Sequence, residues 1–238
     1  MNGFDYLWEG GPVFAQSENF RFGTDSVLLG NFINVSGAKK AADLGCASGV
    51  IDLLLLSRSE KLHVTGIEID PDAAALAREN MARNGFESRS EILCADLRRF
   101  RELLPAGSFD VVVSNPPYFP MHAGGVSPVE ARARAREELT CTLDGLCSAA
   151  EYLCRWDGKV AFSYKPERLP ELFAAMSRHG IEPKRMRTVV HTASSAPGLV
   201  LVEGRRGGNP GLKIEPSLIV KGDDGEDSEE IKRIYHRL

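Results

Sequence analysis

Residues 41–50 read Ala41-Ala42-Asp43-Leu44-Gly45-Cys46-Ala47-Ser48-Gly49-Val50 and run on into Ile51-Asp52-Leu53-Leu54-Leu55-Leu56. A short apolar run, a turn bounded by two glycines and an apolar helical pattern succeed one another without a gap. This is how a buried parallel strand hands the chain to a crossover helix. Glycine permits the strained backbone of such a turn and lets a ligand come close to the main chain. The spacing departs from the dinucleotide pattern G-x-G-x-x-G, because Gly45 and Gly49 enclose Cys46, Ala47 and Ser48; that favours a nucleoside without a pyrophosphate. Taken alone, the turn reads equally well as a tight strand-to-helix connection in any α/β protein.

Outward from this stretch the same alternation repeats. Candidate strands fall at 41–44, 64–68, 90–93, 109–114, 159–163, 187–191 and 199–203, with helical patterns at 51–57, 71–84, after Asp96, at 131–153 and at 166–179. The helix from Pro71 is the clearest, with proline in its first turn and an alanine-rich body. The pattern predicts an α/β fold: a doubly wound, mostly parallel, seven-stranded sheet with helices on both faces. Ligands of such sheets bind beyond the carboxyl ends of the strands, so chemistry is sought just after each strand. Residues 1–37 read as an N-terminal extension, 38–212 as the main domain and 213–238 as a C-terminal tail with an acidic hairpin-like insert.

The 238 residues, 43% hydrophobic and 26% charged, suffice for one large globular domain. No basic start followed by an apolar stretch opens the chain, and the greasiest run, 50–56, is short and broken by Asp52, so a cytoplasmic protein without a membrane span is expected. The five cysteines, Cys46, Cys94, Cys141, Cys147 and Cys154, form no Cys-x-x-Cys pair, and the histidines His63, His122, His179, His191 and His236 lack metal-ligand spacing. The expectation is reduced thiols and no metal. The net charge of −4 hides an acidic insert holding Asp223, Asp224, Glu226, Asp227, Glu229 and Glu230, without which the balance turns positive. Basic clusters then stand out at Arg98-Arg99-Phe100-Arg101, at Arg132, Arg134 and Arg136, at Lys184-Arg185-Met186-Arg187 and at Arg205-Arg206. They read either as solvated faces or as parts of an RNA footprint, with Arg132, Arg134, Arg136, Lys184 and Arg185 the candidate RNA-binding residues.

The strand tips carry acids in series. Glu68 ends the second strand, where a carboxylate can accept both hydroxyls of a ribose; Asp70, just before Pro71, is the better helix cap. Asp96 ends the third strand and reads either as an acceptor for an adenine amino group or as a helix N-cap. The fourth strand, Asp110-Val111-Val112-Val113-Ser114, runs straight into Asn115-Pro116-Pro117-Tyr118. Two prolines fix the backbone so that the Asn115 side chain and the Pro116 carbonyl face one spot, with an aromatic ring beside it. A planar amine on a heteroaromatic ring or an acyl group is a poor nucleophile because its lone pair is delocalised. Two acceptors gripping its hydrogens steer that lone pair toward an incoming methyl group and stabilise the positive charge that develops. Tyr118 can stack on the base that carries the amine.

These residues resemble the class I methyltransferases, a Rossmann-like group, that act on planar amino groups. The resemblance narrows with Phe20-Arg21-Phe22-Gly23-Thr24-Asp25-Ser26-Val27-Leu28-Leu29-Gly30, the stretch from Arg136 through Glu137 to Thr142-Leu143-Asp144, Lys165-Pro166-Glu167-Arg168-Leu169, Glu182-Pro183-Lys184-Arg185, Leu201-Val202-Glu203-Gly204 and Leu212-Lys213-Ile214-Glu215-Pro216. Together these are similar to the small bacterial tRNA(Val) adenine-N(6) methyltransferases, which methylate the adenine just 3′ of the anticodon. The resemblance implies S-adenosylmethionine as cofactor, S-adenosylhomocysteine as product and tRNA as partner. It also implies that Thr24 and Asp25 close over the methionine moiety; as bare sequence they read as a helix N-cap. The candidate cofactor-binding set is then Thr24, Asp25, Asp43, Gly45, Cys46, Ala47, Ser48, Gly49, Glu68, Ile69, Asp96, Leu97 and Asn115; the candidate catalytic set is Asn115, Pro116, Pro117 and Tyr118. Ala47 departs from the group, many of whose members carry a second glycine there. Three rivals stay open: a ribosomal-RNA guanine N(2) methyltransferase, a protein-glutamine N-methyltransferase, and a catalytically silent RNA-binding module of the same fold.

Overall fold

The computed structural model describes residues 4–15, 23–116 and 142–237. A small antiparallel hairpin, β1 (Phe4–Tyr6) and β2 (Val13–Ala15), opens the chain and is followed by α1 (Thr24–Phe32). Then come β3 (Lys40–Leu44), α2 (Val50–Arg58), β4 (His63–Glu68), α3 (Pro71–Arg83), β5 (Ser90–Cys94), α4 (Phe100–Leu103) and β6 (Phe109–Ser114). The last third holds α5 (Leu143–Leu153), β7 (Cys154–Tyr164), α6 (Leu169–Arg178), β8 (Ile181–Val190), β9 (Pro197–Arg206), β10 (Lys213–Ile214), β11 (Leu218–Ile219) and α7 (Glu229–Ile234).

The main sheet runs β10-β8-β9-β7-β6-β3-β4-β5, with β11 also paired to β8. Strands β3 to β7 are mutually parallel, and β9 lies antiparallel between β7 and β8. The seven strands expected from sequence are all present, and the tail adds two of two residues each, making nine. The sixth begins at Ile181 and not at 187, because Pro183 sits where the β8–β9 register shifts, and a bulge tolerates a residue without an N–H. The helix expected over 131–153 is described only from Leu143, where the Thr142 hydroxyl accepts from Gly145 N at 3.0 Å and caps it; 131–141 lie outside the described residues. The helix expected over 166–179 is a 3-10 turn (Pro166–Arg168) followed by α6.

Period-two alternation builds two cores from one sheet. Ala41, Val111, Val113, Ala161, Leu199 and Leu201 face one side, under α1, α2 and α3. Ala42, Leu44, Val112, Val160, Phe162, Val200 and Val202 face the other, under α5 and α6. Helix α2 is buried along Val50–Leu56, as expected of a helix pressed between the sheet and a second helical layer. Gly30 of α1 makes that closeness possible: a Cβ there would stand 2.8 Å from Leu54 Cδ1.

The ends of the described chain close on each other. Asn80 of α3 and Asn84, which follows its last residue, accept from Ala15 N and Val13 N, each at 2.8 Å, fastening the hairpin to the helix. In the tail, a Lys221–Asp227 bridge makes the acidic insert a hairpin, Ser228 caps α7, and α7 packs on α1. The Trp8 and His236 rings stack at 4.2 Å. No helix among the described residues is long and apolar enough to cross a membrane.

Candidate active site

The carboxyl ends of β3, β4, β5, β6 and β7 lie side by side, and the sequence-predicted residues follow them. After β3 the turn is tied down by Gly45 N and Cys46 N, which donate to Ile67 O at 2.8 and 3.1 Å. Gly45, Ala47 and Gly49 all hold positive φ, of 78°, 46° and 81°. The two glycines do so without strain, whereas Ala47 occupies a region that L-residues enter rarely. Among the described residues nothing lies within 4 Å of where a Gly45 Cβ would stand, so the turn opens on that side. Gly49 is packed instead, with Ala77 Cβ at 3.2 Å from its missing Cβ, and it caps α2. Ser48 is buried, and its carbonyl accepts from Asn80 Nδ2 at 2.9 Å.

Glu68 reaches over this turn. One carboxylate oxygen accepts from Ala47 N and the other from Asp70 N, both at 2.9 Å. A carboxylate offers about four lone-pair sites, so these two bonds orient the group and leave accepting capacity toward the opening. Asp70 caps α3, accepting from Asp72 N and Ala73 N, which agrees with its reading as the cap. Ile69 is exposed beside it. At the tip of β5, Asp96 caps the turn Leu97–Arg99 by accepting from Arg98 N at 2.9 Å, and it is forked by the Arg98 guanidinium. These bonds hold its pKa below the usual carboxylate value, the side-chain bond to Arg98 contributing most. Any ligand amine at Asp96 shares that carboxylate with Arg98.

Asp43 is placed differently from the expectation. It is fully buried and faces not the opening but Asp52 of α2, also fully buried, and no protein donor among the described residues reaches either carboxyl. Burial, then the charge of Asp52, pushes the Asp43 pKa well up, and burial lifts Asp52 to about 7. Two acceptors facing each other in the interior are stable only with a proton between them, so the pair holds one at neutral pH. Gly66 on β4 makes room for it: a Cβ there would meet Cys46 Sγ at 2.7 Å and Asp52 Oδ2 at 2.9 Å. Burial, followed by these same acids, also raises the Cys46 thiol well above its ordinary pKa, so the thiol stays protonated.

Asn115 follows β6. Ser114 Oγ donates to Leu44 O at 2.6 Å, locking the tips of β6 and β3 together. The Asn115 carboxamide donates from Nδ2 to Ser26 Oγ of α1 at 2.8 Å, and its Oδ1 accepts from Ser163 Oγ of β7. Sequence reading singled out neither serine. The signal available for Ser163 was its place at the end of a strand next to the Asn115 strand; Ser26 had only its membership of the 20–30 stretch. Thr24 and Asp25 are not a cap, since Gly23 holds that position; they form the first turn of α1, with the Thr24 hydroxyl against Tyr235 Oη. Pro116 is described, whereas Pro117, Tyr118, Arg132, Arg134 and Arg136 lie outside the described residues.

Two candidate RNA contacts are not brought to this site. Arg185 lies over the Phe32 ring, donates to Phe32 O and pairs with Glu203 and Glu215. Lys184 donates to Asn209 O at 2.9 Å and lines a cleft with Trp156, Lys159 and Arg205, at the amino-terminal end of β7 away from Asn115. Among the described residues, no cluster of three potential metal ligands occurs.

A glycine turn flanked by an acid on one neighbouring tip and an asparagine on the other can hold a nucleoside and an amine side by side. Comparison with known proteins decides between a bare scaffold and an enzyme. The model of the methyltransferase small domain family matches residues 8–136, more than half of the chain. The chain belongs to this family. It is 31% identical to a Tolumonas auensis protein named tRNA1(Val) (adenine(37)-N6)-methyltransferase, over 85% of this chain and 83% of that one. A Porphyromonas gingivalis protein of the same name is 34% identical over 78% and 74%. Among solved structures, one described as a predicted O-methyltransferase from Agrobacterium tumefaciens superposes with a TM-score of 0.74 at 21% identity, over 90% of this chain and 96% of that chain, which bears on the fold alone. This methyltransferase takes its methyl group from S-adenosylmethionine and leaves S-adenosylhomocysteine. Its residues fit that group: the backbone beside Gly45 is open, and the oriented Glu68 carboxylate adjoins it across the turn.

Proposed function

We propose that this methyltransferase acts in the cytoplasm on the exocyclic 6-amino group of an adenine in tRNA, the base beside the anticodon of a valine tRNA. The observation that carries this reading is the place of Asn115. Its carboxamide stands at the tip of β6, held between α1 and β7 and two strands from the Glu68 tip, and Pro116 stiffens the chain directly after it. The names of the relatives supply the base and the RNA.

In this reading the turn from Gly45 through Cys46, Ala47 and Ser48 to Gly49 lies against the cofactor, Glu68 accepts from its ribose, and Ile69, Asp96 and Leu97 border its adenine. Thr24 and Asp25 close over the methionine end. S-adenosylmethionine supplies a methyl group on a sulfonium, whose departure as a neutral thioether drives the transfer. The protein's part is positioning. Asn115 Oδ1 and the Pro116 carbonyl accept the two hydrogens of the adenine amine, which aims its lone pair and stabilises the charge growing on nitrogen. Tyr118 stacks on the extruded base, and Arg132, Arg134 and Arg136 neutralise the incoming phosphates, so binding falls steeply with salt.

Methyl transfer from labelled cofactor to unmodified tRNA, followed by nuclease digestion, tests the reading. Label in 6-methyladenosine from a valine tRNA is the expected result. Label in guanosine, or only in protein glutamine, transfers the assignment to another amine, and failure to bind cofactor leaves a silent RNA-binding module. Asn115→Ala is expected to lower kcat by about a hundredfold or more, with S-adenosylhomocysteine affinity near wild type; full activity removes Asn115 from the mechanism.

A further inference from the structure

The two serines on either side of Asn115 come from distant parts of the chain, 89 and 48 residues away. Both are buried: Ser163 is fully enclosed and Ser26 is 8% exposed. They treat the two ends of the carboxamide differently, Ser26 accepting from nitrogen and Ser163 donating to oxygen. Holding matters for the reaction proposed above, because an acceptor displaced from the amine no longer grips its hydrogens. A serine hydroxyl can donate or accept, so the pair fixes the place and the plane of the amide. An amide oxygen has two lone pairs, so one serine donor fixes its plane without exhausting its capacity to accept.

We propose that Ser26 and Ser163 are positioning residues that hold the Asn115 carboxamide in place and in one plane at the tip of β6, within reach of the acceptor amine. The proposal rests on the reading of Asn115 as an amine acceptor. In the folded enzyme β7 supplies the donor and α1 the acceptor, so the two bonds form together only when α1, β7 and the tip of β6 are docked. Neither serine touches the reacting atoms; each acts through Asn115. Loss of one hydroxyl removes one of these two bonds, and the fraction of the amide in the productive place falls.

The test is steady-state kinetics on unmodified tRNA, with S-adenosylhomocysteine affinity by calorimetry and thermal melting in parallel. Ser163→Ala and Ser26→Ala are each expected to lower kcat about threefold to tenfold, the loss of one net hydrogen bond, with cofactor affinity within error of wild type and the melting temperature lowered by no more than a few degrees. Ser163→Thr and Ser163→Val have the same shape and differ in the hydroxyl, so a higher kcat for threonine than for valine isolates the bond even if alanine folds poorly. A kcat within twofold of wild type for both alanine variants overturns the proposal, as does a kcat loss that tracks cofactor affinity or melting temperature, and so does equal kcat for threonine and valine. Asn115→Ala, run alongside, separates the two levels. If it is inactive while the serine variants are normal, only the positioning role falls; if it is fully active, the reading of the site falls with it.

Discussion

The two halves of the sheet use carboxylates in opposite ways. On the side of β3, β4 and β5 the strands are five or six residues long and all parallel, and acids stand at or near their tips: Asp43 turned inward, Glu68 and Asp96 outward. On the side of β7, β8 and β9 the strands are ten or eleven residues long, and the acids are paired with arginines: Glu203 and Glu215 with Arg185, Glu230 with Arg187, Glu151 with Arg206. A carboxylate held by backbone N–H groups keeps capacity for a ligand, whereas one forked by a guanidinium is largely satisfied by it. In the first half that leaves Glu68, held by backbone N–H groups, with capacity to spare, while Asp96 shares its carboxylate with Arg98; the second half is the frame that carries Ser163.

Glu68→Gln should break this contrast most strongly. The glutamine loses the charge and turns an NH2 toward either Ala47 N or Asp70 N, so cofactor affinity measured by calorimetry is expected to fall about tenfold to a hundredfold. Unchanged affinity would take Glu68 out of the cofactor-binding set.

A pH series sharpens the comparison next. Asp52, raised to about 7, and Asp43, also raised well above its ordinary value, bind protons in the folded state that they lose when unfolded. Their contribution to stability is thus complete below about pH 4 and is lost as pH rises through the folded values. Asp52→Asn supplies a permanent donor to Asp43. Relative to wild type it should gain on the order of 2 kcal/mol between pH 5 and pH 8 in denaturant unfolding; parallel pH profiles would refute the shared proton.

The frame side responds with the opposite sign and less strongly. Its bond to Arg187 holds the Glu230 pKa below the usual glutamate value, so that contribution is present above about pH 4.5 and is lost as pH falls. The pair is partly exposed, with Glu230 41% accessible. Glu230→Gln should therefore lower stability by about 1 kcal/mol or less at pH 7, with the deficit closing below pH 4. A larger deficit, or one that does not depend on pH, would mean that the tail is held by something other than this pair.

How much of this could be read before the fold was known differs between the halves in the same way. The parallel side announces itself, because each strand is a compact apolar run ending in a glycine, an acid or a proline, and the residues that follow lie next to one another in space. Glu68 and Asn115 were picked out as candidate site residues for that reason. The inward turn of Asp43 was not legible, because an acid at a strand end reads as ligand-facing until Asp52, nine residues on, is seen packed against it. The start of β8 was hidden by Pro183 and the charges around it, which only a bulge accommodates. Strands β10 and β11 are too short to carry any periodicity. Ser26 and Ser163 are small hydroxyls whose meaning lies wholly in a contact between distant segments.

Arg78 of α3 donates through Nε and Nη2 to Ile92 O of β5, at 3.1 and 2.8 Å, at one outer edge of the sheet. At the opposite edge β10 and β11 lie along β8 and take up part of its backbone ladder. Sheet edges with unpaired peptide groups are templates on which a second chain can add a strand and begin an aggregate. Here one edge is short with a guanidinium clamped on its carbonyl, and the other is sealed by two stubs of the tail. Removing the Arg78 side chain or the segment from Lys213 to Ile219 would bare one of these edges as a surface on which copies of the protein can add strands.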